Sequence, residues 1–318
     1  TFAGLTLKNP VIISSSGLTN SAAKNAKLEA AGAGAIVLKS LFEEQIMMEA
    51  DRLRNPSYYP EGSDYLAEYI RNHKLAEYLE LIKESKKVCT IPVIASINCY
   101  TDAEWVDFAK QIEEAGADAL EINILALQSD IQYKYGSFEQ RHIDILSHIK
   151  KTIRIPVIMK LGSNFTNPVA LIDQLYANGA AAVVLFNRFY QPDIDVEKME
   201  HTSGDVFSNA SDLSTTLRWI GISSSLVSKI DYAASGGIHK PDGIVKAILA
   251  GASAIEICSA IYQNTNLFVG EMNRFLSAWM ERKGFKHISQ FKGKLNAKDV
   301  EGINMFERTQ FLKYFSEK

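Results

Sequence analysis

The sequence predicts an α/β fold, a (β/α)8 TIM barrel that spans residues 1–318 as a single domain. Two short patterns recur along the chain and mark eight strands, with amphipathic helices between most of them. A length of 318 residues suits a barrel of this kind. Eightfold strand–helix alternation favours a closed barrel over a doubly wound open sheet, and no G-x-G-x-x-G motif follows the first strand.

The two patterns place the strands in order along the chain. One is a proline-led β-branched run, such as IPVIMKLGS at 155–163. The other is a helix end that enters an apolar strand after a glycine, such as AAGAGAIVLKS at 30–40, where the glycine suits a left-handed C-cap. Unbroken apolar strands are typical of a parallel sheet buried on both faces. The predicted strands cover residues 10–15, 35–39, 92–97, 119–123, 156–160, 182–186, 231–235 and 254–258.

The connections divide into helices and two long loops. Apolar residues three and four apart predict helices over 102–116 and 167–179. The connection 40–90 carries RNPSYYPEGSDY and then a helix rich in Glu and Lys, and the connection 188–218 is polar. Both follow the carboxyl ends of strands, the second and the sixth, where barrel active sites are built. We expect them to wall a substrate site, with plain surface decoration as the alternative.

Composition excludes several classes of function. The net charge is −3, so no basic field favours nucleic acid or an anionic membrane as a partner. Neither an apolar run long enough to span a bilayer nor a secretory signal is visible. Cys89, Cys99 and Cys258 are too scattered for a disulfide framework or a metal site. These features predict a cytoplasmic protein that acts on a small molecule.

Lysine and asparagine side chains stand where predicted strands end. Lys39 and Lys160 close the second and fifth strands, where an ammonium group needs an anion, a carbonyl or a Schiff-base substrate. Asn123 and Asn187 close the fourth and sixth strands and offer amides that suit the edges of a heterocycle.

Glycines and small residues follow the last two strands. Gly236 and Gly237 let backbone N–H groups approach an oxyanion, and Cys258 and Ser259 complete the usual phosphate position of such barrels. The whole set of strand-end residues suits a phosphorylated cofactor whose ring is tuned by lysine. A Schiff-base lyase that acts on a phosphorylated substrate through Lys39 or Lys160 is the alternative from another class.

Seven motifs in order resemble the dihydroorotate dehydrogenase family over nearly the whole chain, and the FMN-binding barrel of dihydropyrimidine dehydrogenase is similar. They are LKNPVIISSSG, VLKS, EIN, VIMKL, LFN, ASGGI and GASAIEICSAI. The resemblance is to the soluble class 1 branch and implies an FMN cofactor, a homodimer and a role in pyrimidine metabolism. It implies hydride transfer from C6 of dihydroorotate to flavin N5 while a loop residue removes the C5 proton.

The resemblance and the strand-end positions together give the expected site. Lys39 and Asn123 are the expected catalytic residues, which touch both cofactor and substrate. The expected FMN contacts are Ser15, Ser16, Gly17, Lys39, Ser40, Asn98, Asn123, Lys160, Asn187, Ser235, Gly236, Gly237, Cys258 and Ser259.

The substrate half departs from the family pattern. Ala126 stands where the resemblance implies a Cys or Ser base, and alanine cannot accept a proton. Gln128, Arg188 and Arg218 are the candidate substrate contacts. We expect an FMN-dependent oxidoreductase of the dihydroorotate dehydrogenase type in which dihydroorotate oxidation is weak or lost. An FMN-binding paralogue with another substrate or no catalysis is the second hypothesis.

Overall fold

A closed parallel barrel forms the centre of the protein, as predicted. The structure is a computed structural model that describes residues 1–42, 61–99 and 105–298, without the side chains of 61–68. The barrel strands are β1 (Val11–Ile13), β2 (Ala35–Val37), β4 (Val93–Asn98), β5 (Ala119–Asn123), β6 (Val157–Gly162), β7 (Ala182–Asn187), β10 (Asp231–Ser235) and β11 (Ala254–Ile257). Each barrel strand pairs in parallel with its neighbours, and pairing between β2 and β4 closes the ring.

Helices surround the barrel and bury their apolar faces against its outer surface. None of those in the described ranges is long and apolar enough to cross a membrane. Their bounds are α1 (Ala22–Ala30), α2 (Glu61–Val88), α3 (Trp105–Glu114), α4 (Ser137–Thr152), α5 (Pro168–Ala177), α6 (Leu213–Leu226), α7 (Asp242–Ala250), α8 (Ser259–Asn264) and α9 (Leu267–Lys283). The glycines predicted to end helices have positive φ angles, between 92° and 125°, at Gly32, Gly116, Gly179 and Gly251.

The two long connections contain structure that the sequence patterns did not predict. After β2, the short strand β3 (Leu41–Phe42) pairs with β4. Most of RNPSYYPEGSDY and the start of the predicted helix 102–116 lie outside the described residues. The connection 188–218, predicted only as polar, contains an antiparallel hairpin of β8 (Pro192–Asp195) and β9 (Glu200–Ser203). The four-residue strands are exposed, so their pattern lacks the apolar signal of a core strand.

The inner surface of the barrel changes from apolar to polar along the strands. Strand side chains alternate between the two faces, so residues two apart share a face. The lower inner layer is closed by Phe2 and Ala3 and consists of Ile12, Ala35, Val37, Ile94, Ala119, Ile158, Ala182, Val184, Ala233 and Ala254. Two residues further along six of these strands stand Ser14, Ser96, Glu121, Lys160, Ser235 and Glu256, all buried. The polar layer therefore lies inside the barrel at its carboxyl end.

A neutral histidine packs beneath the loop that follows β5. His142 on α4 is fully buried, and its Nδ1 lies 2.8 Å from the carbonyl oxygen of Phe138. The rings of Phe138 and Phe165 pack against it, with centroids 4.7 and 5.1 Å away. Burial lowers the pKa of His142 to about 4, because the charged imidazolium loses its hydration.

The buried imidazole predicts a loss of stability in acid. The unfolded chain binds a proton near pH 6.5 and the folded chain only near pH 4, so stability is complete above pH 6.5 and falls as the pH approaches 4. His142→Gln removes the titration, and over this range its free energy of unfolding should fall less than that of the wild type by up to roughly 3 kcal/mol. Urea unfolding at a series of pH values measures the difference.

His148→Gln is the matched control, because His148 is exposed on the same helix. Its pH dependence should match that of the wild type. If His142→Gln also keeps the wild-type pH dependence, the buried imidazole is not the group that titrates.

Candidate active site

The ends of the barrel strands surround a cavity of about 530 Å³ at the carboxyl face of the barrel. This volume lies within the range of small-molecule and cofactor sites. Twelve residues that the sequence singled out line it: Ser15, Ser40, Asn98, Asn123, Lys160, Asn187, Arg188, Ser235, Gly236, Gly237, Cys258 and Ser259. The barrel thus brings together residues that are up to 244 positions apart, since parallel strands end on the same face.

Three of the predicted cofactor contacts, Ser16, Gly17 and Lys39, are not among the residues that line the cavity. Ser16 caps a short 3-10 turn, and its Oγ accepts a hydrogen bond of 3.2 Å from the backbone of Leu18. Gly17 begins that turn, and Tyr262 packs against it. Lys39 Nζ lies 5.5 Å from the ring centroid of Phe42, which does line the cavity.

The predicted substrate contacts are dispersed. Arg188 lines the cavity and donates a hydrogen bond of 2.9 Å to the carbonyl oxygen of Val206. Arg218 lies on an exposed face of α6, away from the cavity lining. Gln128 is half-buried outside the lining, and its amide nitrogen is buried without a hydrogen-bond partner. At Ala126 the backbone carbonyl accepts a hydrogen bond of 3.0 Å from Asn164.

A lysine and two glutamates form the floor of the cavity. Lys160 Nζ donates to Glu256 Oε2 at 2.6 Å and to Ser14 Oγ at 2.8 Å. Ser14 Oγ in turn donates to Glu256 Oε2 at 3.1 Å, which closes a small ring of hydrogen bonds. Glu121 Oε1 lies 3.6 Å from Lys160 Nζ. We refer to Glu121, Lys160 and Glu256 as the floor cluster.

The floor cluster keeps its lysine charged. Burial by itself would lower the pKa of Lys160, but attraction by Glu121 and Glu256 overrides it and raises that pKa above its ordinary value. Burial, followed by repulsion from Glu256, raises the pKa of Glu121 well above its usual range. The floor therefore presents a permanent ammonium group to the cavity.

The two predicted asparagines are joined above the floor. Asn187 Nδ2 donates to Asn123 Oδ1 at 2.9 Å, and Asn187 Oδ1 accepts from the backbone N–H of Arg188. Asn123 Nδ2 lies 3.5 Å from Glu121 Oε1. Because these bonds fix the orientation of both amides, the pair can present a defined donor and acceptor pattern to a planar ligand.

Three serine hydroxyls form a chain of hydrogen bonds at the cavity wall. Ser40 Oγ lies 2.9 Å from Ser15 Oγ and 2.8 Å from Ser96 Oγ. Tyr78 of α2 anchors the last member, since its hydroxyl donates to the carbonyl oxygen of Ser96 at 3.0 Å and accepts from its N–H at 2.7 Å. The helix after the first long connection thereby supports the cavity wall.

Backbone geometry at the glycine pair leaves room for a ligand. Gly236 and Gly237 have φ angles of +93° and +74°. A Cβ at Gly236 would meet nothing within 4 Å, whereas a Cβ at Gly237 would clash with the backbone nitrogen of Leu213. Nearby, Ser259 Oγ accepts from the backbone N–H of Ser208 at 3.1 Å. Open space therefore lies beside Gly236, at the position where the sequence predicts a phosphate.

An apolar wall, which the sequence did not predict, includes part of the loop after β5. Leu125 lines the cavity, and both Leu125 and Phe189 approach Gly162, where any side chain would displace them. Phe186 and Tyr190 extend this wall. The run after Asn123 is therefore apolar for a local reason: Ile124 enters the core and Leu125 enters the cavity wall.

Sequence reasoning also missed the glutamates of the floor. Glu121 and Glu256 each stand at the third position of a strand whose other members, Asn123 apart, are apolar. A carboxyl group inside a strand that is buried on both faces needs a partner, so each was a detectable signal. Neither glutamate is the last residue of its strand, so a search limited to strand ends does not select them.

Known proteins resemble this chain over most of its length. Residues 1–280 match the family model described as "Dihydroorotate dehydrogenase". The chain is 26% identical over 302 residues to the "Dihydroorotate dehydrogenase B (NAD(+)), catalytic subunit" of Thermoplasma volcanium, covering 92% of this chain and 96% of that protein. It is 28% identical over 306 residues to the "Putative dihydroorotate dehydrogenase A (fumarate)" of Aeropyrum pernix, covering 92% and 95%. The two names state different electron acceptors, so similarity supports the shared oxidoreductase class.

The glycine pair predicts two unequal losses of stability. Gly236→Ala should cost about 1–2 kcal/mol, because only its left-handed backbone opposes a side chain. Gly237→Ala should cost more, roughly 2–5 kcal/mol, because overpacking against the start of α6 adds to the same backbone strain. Urea unfolding of both variants measures the difference, and equal losses would show that the contact with Leu213 is unimportant.

Proposed function

The chain belongs to the dihydroorotate dehydrogenase family, and from this premise we propose that it is an FMN-dependent oxidoreductase with an altered substrate half. The observation that carries the proposal is the division of one cavity into a polar part and an apolar wall. The polar part contains Lys160, Asn123 and the Gly236–Gly237 pair. The apolar wall contains Leu125 in the loop where Ala126 replaces the proton-accepting residue.

The residues present fit FMN. The cavity of about 530 Å³ has the size of a cofactor site, and the space at Gly236 suits a bulky anion near backbone N–H groups. Ser235, Gly236, Gly237, Cys258 and Ser259 would hold the phosphate. The expected contacts that line the rest of the cavity would hold the ring: Ser15, Ser40, Asn98, Asn123, Lys160 and Asn187.

When bound, FMN supplies a ring that accepts a hydride from a reduced substrate. Lys160 holds a positive charge at Nζ, which would favour negative charge that develops on the ring. Asn123 and Asn187 would orient the ring and the substrate through their fixed amides. Leu125, Phe186 and Phe189 exclude water from the apolar side of the cavity.

The substrate is the altered part of the site. Removal of a proton by a positioned base contributes typically 10²–10⁴-fold to a rate, and Ala126 has no group that accepts one. Dihydroorotate oxidation is therefore weak or lost. Arg188, the one of the three candidate contacts that lines the cavity, binds the anionic part of a different small molecule. Binding without catalysis is the alternative.

The charge state of Lys160 weighs against the Schiff-base lyase. An amine must lose its proton to attack a carbonyl, but Glu121 and Glu256 raise the pKa of this lysine. Lys39 is the remaining candidate nucleophile, and its ammonium faces Phe42. We further propose a cytoplasmic homodimer with no nucleic-acid or membrane partner, acting in pyrimidine metabolism.

Cofactor binding distinguishes the two enzyme classes. The purified protein should bind one FMN per chain, measured by quenching of flavin fluorescence and by the visible spectrum. Treatment of the flavin-free protein with borohydride and phosphorylated aldehydes should leave no adduct on lysine, as measured by mass spectrometry. Failure to bind FMN together with an adduct on Lys39 or Lys160 would replace the oxidoreductase with a lyase.

Restoring a base should restore dihydroorotate oxidation. Ala126→Cys should accelerate anaerobic reduction of the bound flavin by dihydroorotate by about 10²–10⁴-fold, as measured by stopped-flow absorbance. Leu127→Cys is the matched control, since this neighbour is 67% exposed and its thiol would stand outside the cavity. Rapid reduction of the wild-type flavin by dihydroorotate would contradict the role assigned to Ala126.

A further inference from the structure

The floor cluster contains one cation and two carboxyl groups, all of them almost completely buried. Glu121 and Glu256 are at most 2% exposed, and Lys160 is 6% exposed. Two ionised carboxylates beside one ammonium would leave a net negative charge inside the barrel. Burial of an uncompensated charge is costly, so the cluster requires another positive charge or a proton.

The hydrogen bonds show which carboxylate oxygens of the two glutamates have a donor and which have none. Glu256 Oε2 accepts from both Lys160 Nζ and Ser14 Oγ, so this oxygen carries no proton. Glu121 Oε2 and Glu256 Oε1 are buried and have no hydrogen-bond partner. A carboxylate oxygen without a donor is poorly stabilised inside a protein. Each glutamate therefore has one oxygen that needs a proton donor.

No neighbouring group among the described residues neutralises the pair in another way. The groups that face it are Lys160, Ser14, Asn123, the Cys258 thiol and the Tyr78 hydroxyl. Lysine is the one cation among these, serine and asparagine are neutral, and burial raises the pKa of both the Cys258 thiol and the Tyr78 hydroxyl. The remaining source of positive charge is a proton on one of the two carboxyl groups.

We propose that Glu121 and Glu256 share one proton, which makes the floor cluster neutral and keeps Lys160 as the positioning cation of the site. The proton forms an O–H bond on one carboxyl group and is donated towards the other. Glu256 holds the ammonium at 2.6 Å, and Glu121 is the partner whose pKa is raised by burial and by Glu256. The effect on bound flavin rests on the proposed function, whereas the shared proton does not.

Infrared spectroscopy tests the proton directly. At pH 7 ordinary carboxyl groups are ionised, so a protonated one gives a distinct carbonyl band that shifts in D2O. The wild type should show this band, and both Glu121→Gln and Glu256→Gln should lose it, because the remaining glutamate ionises as the partner of Lys160. Lys160→Met should about double the band, since both glutamates then take a proton.

Glu114→Gln is the matched control, because Glu114 is an exposed glutamate at the end of α3, and it should keep the band. Absence of the band from the wild type, or its survival in either single variant, would overturn the shared proton. Spectra recorded with and without added FMN separate this result from the proposed function, because failure to bind FMN leaves the band unchanged.

The reduction potential of bound FMN gives the second measurement. The single variants keep one cation and one carboxylate, so their potentials should stay close to that of the wild type. Glu121→Gln/Glu256→Gln removes both groups that raise the pKa of Lys160, so its potential is recorded on the acid side, where the unpaired ammonium keeps its proton. There the potential should rise, because an added positive charge favours the more negative reduced form. A single variant that shifts the potential as far as the double variant would contradict the neutral cluster.

Discussion

The contact between Lys160 and Glu256 crosses the interior of the barrel, and the polar half of the cavity is arranged around it. Their strands, β6 and β11, are separated by β7 and β10, so no ladder of backbone hydrogen bonds brings the two side chains together. They meet because each stands two residues beyond the apolar inner layer, on the same face of its strand. The strand next to β11 supplies Ser14, and the strand next to β6 supplies Glu121.

This charged floor depends on the apolar layer below it. Ile12, Ile158, Ala254 and their neighbours fill the lower barrel, so the ammonium and the carboxyl groups cannot be hydrated from that side. Low hydration strengthens their mutual attraction, which raises the pKa of Lys160 although burial alone would lower it. The same arrangement makes the lysine a poor nucleophile and a strong electrostatic contact. One structural constraint thereby weighs against covalent catalysis by Lys160.

The polar part and the apolar part of the cavity were predictable to different degrees. Asn123, Lys160 and the Gly236–Gly237 pair could be placed because residues at the ends of parallel strands share one face of the sheet. The apolar wall could not, because Phe186 and Leu125 resemble ordinary core residues when only the sequence is known. Likewise the β8–β9 hairpin is exposed on both strands and has no apolar alternation that would predict it.

The sequence by itself determined the barrel, the order of its strands, the family and the absence of a proton acceptor at Ala126. These properties follow from local periodicity, glycine caps and residue identity, which do not require knowledge of contacts. Only the tertiary structure decided that Glu121, Lys160 and Glu256 form one cluster, and that neither Lys39 nor Arg218 lines the cavity. The physical reason is that side-chain contacts across a closed barrel depend on strand register, which local patterns do not specify.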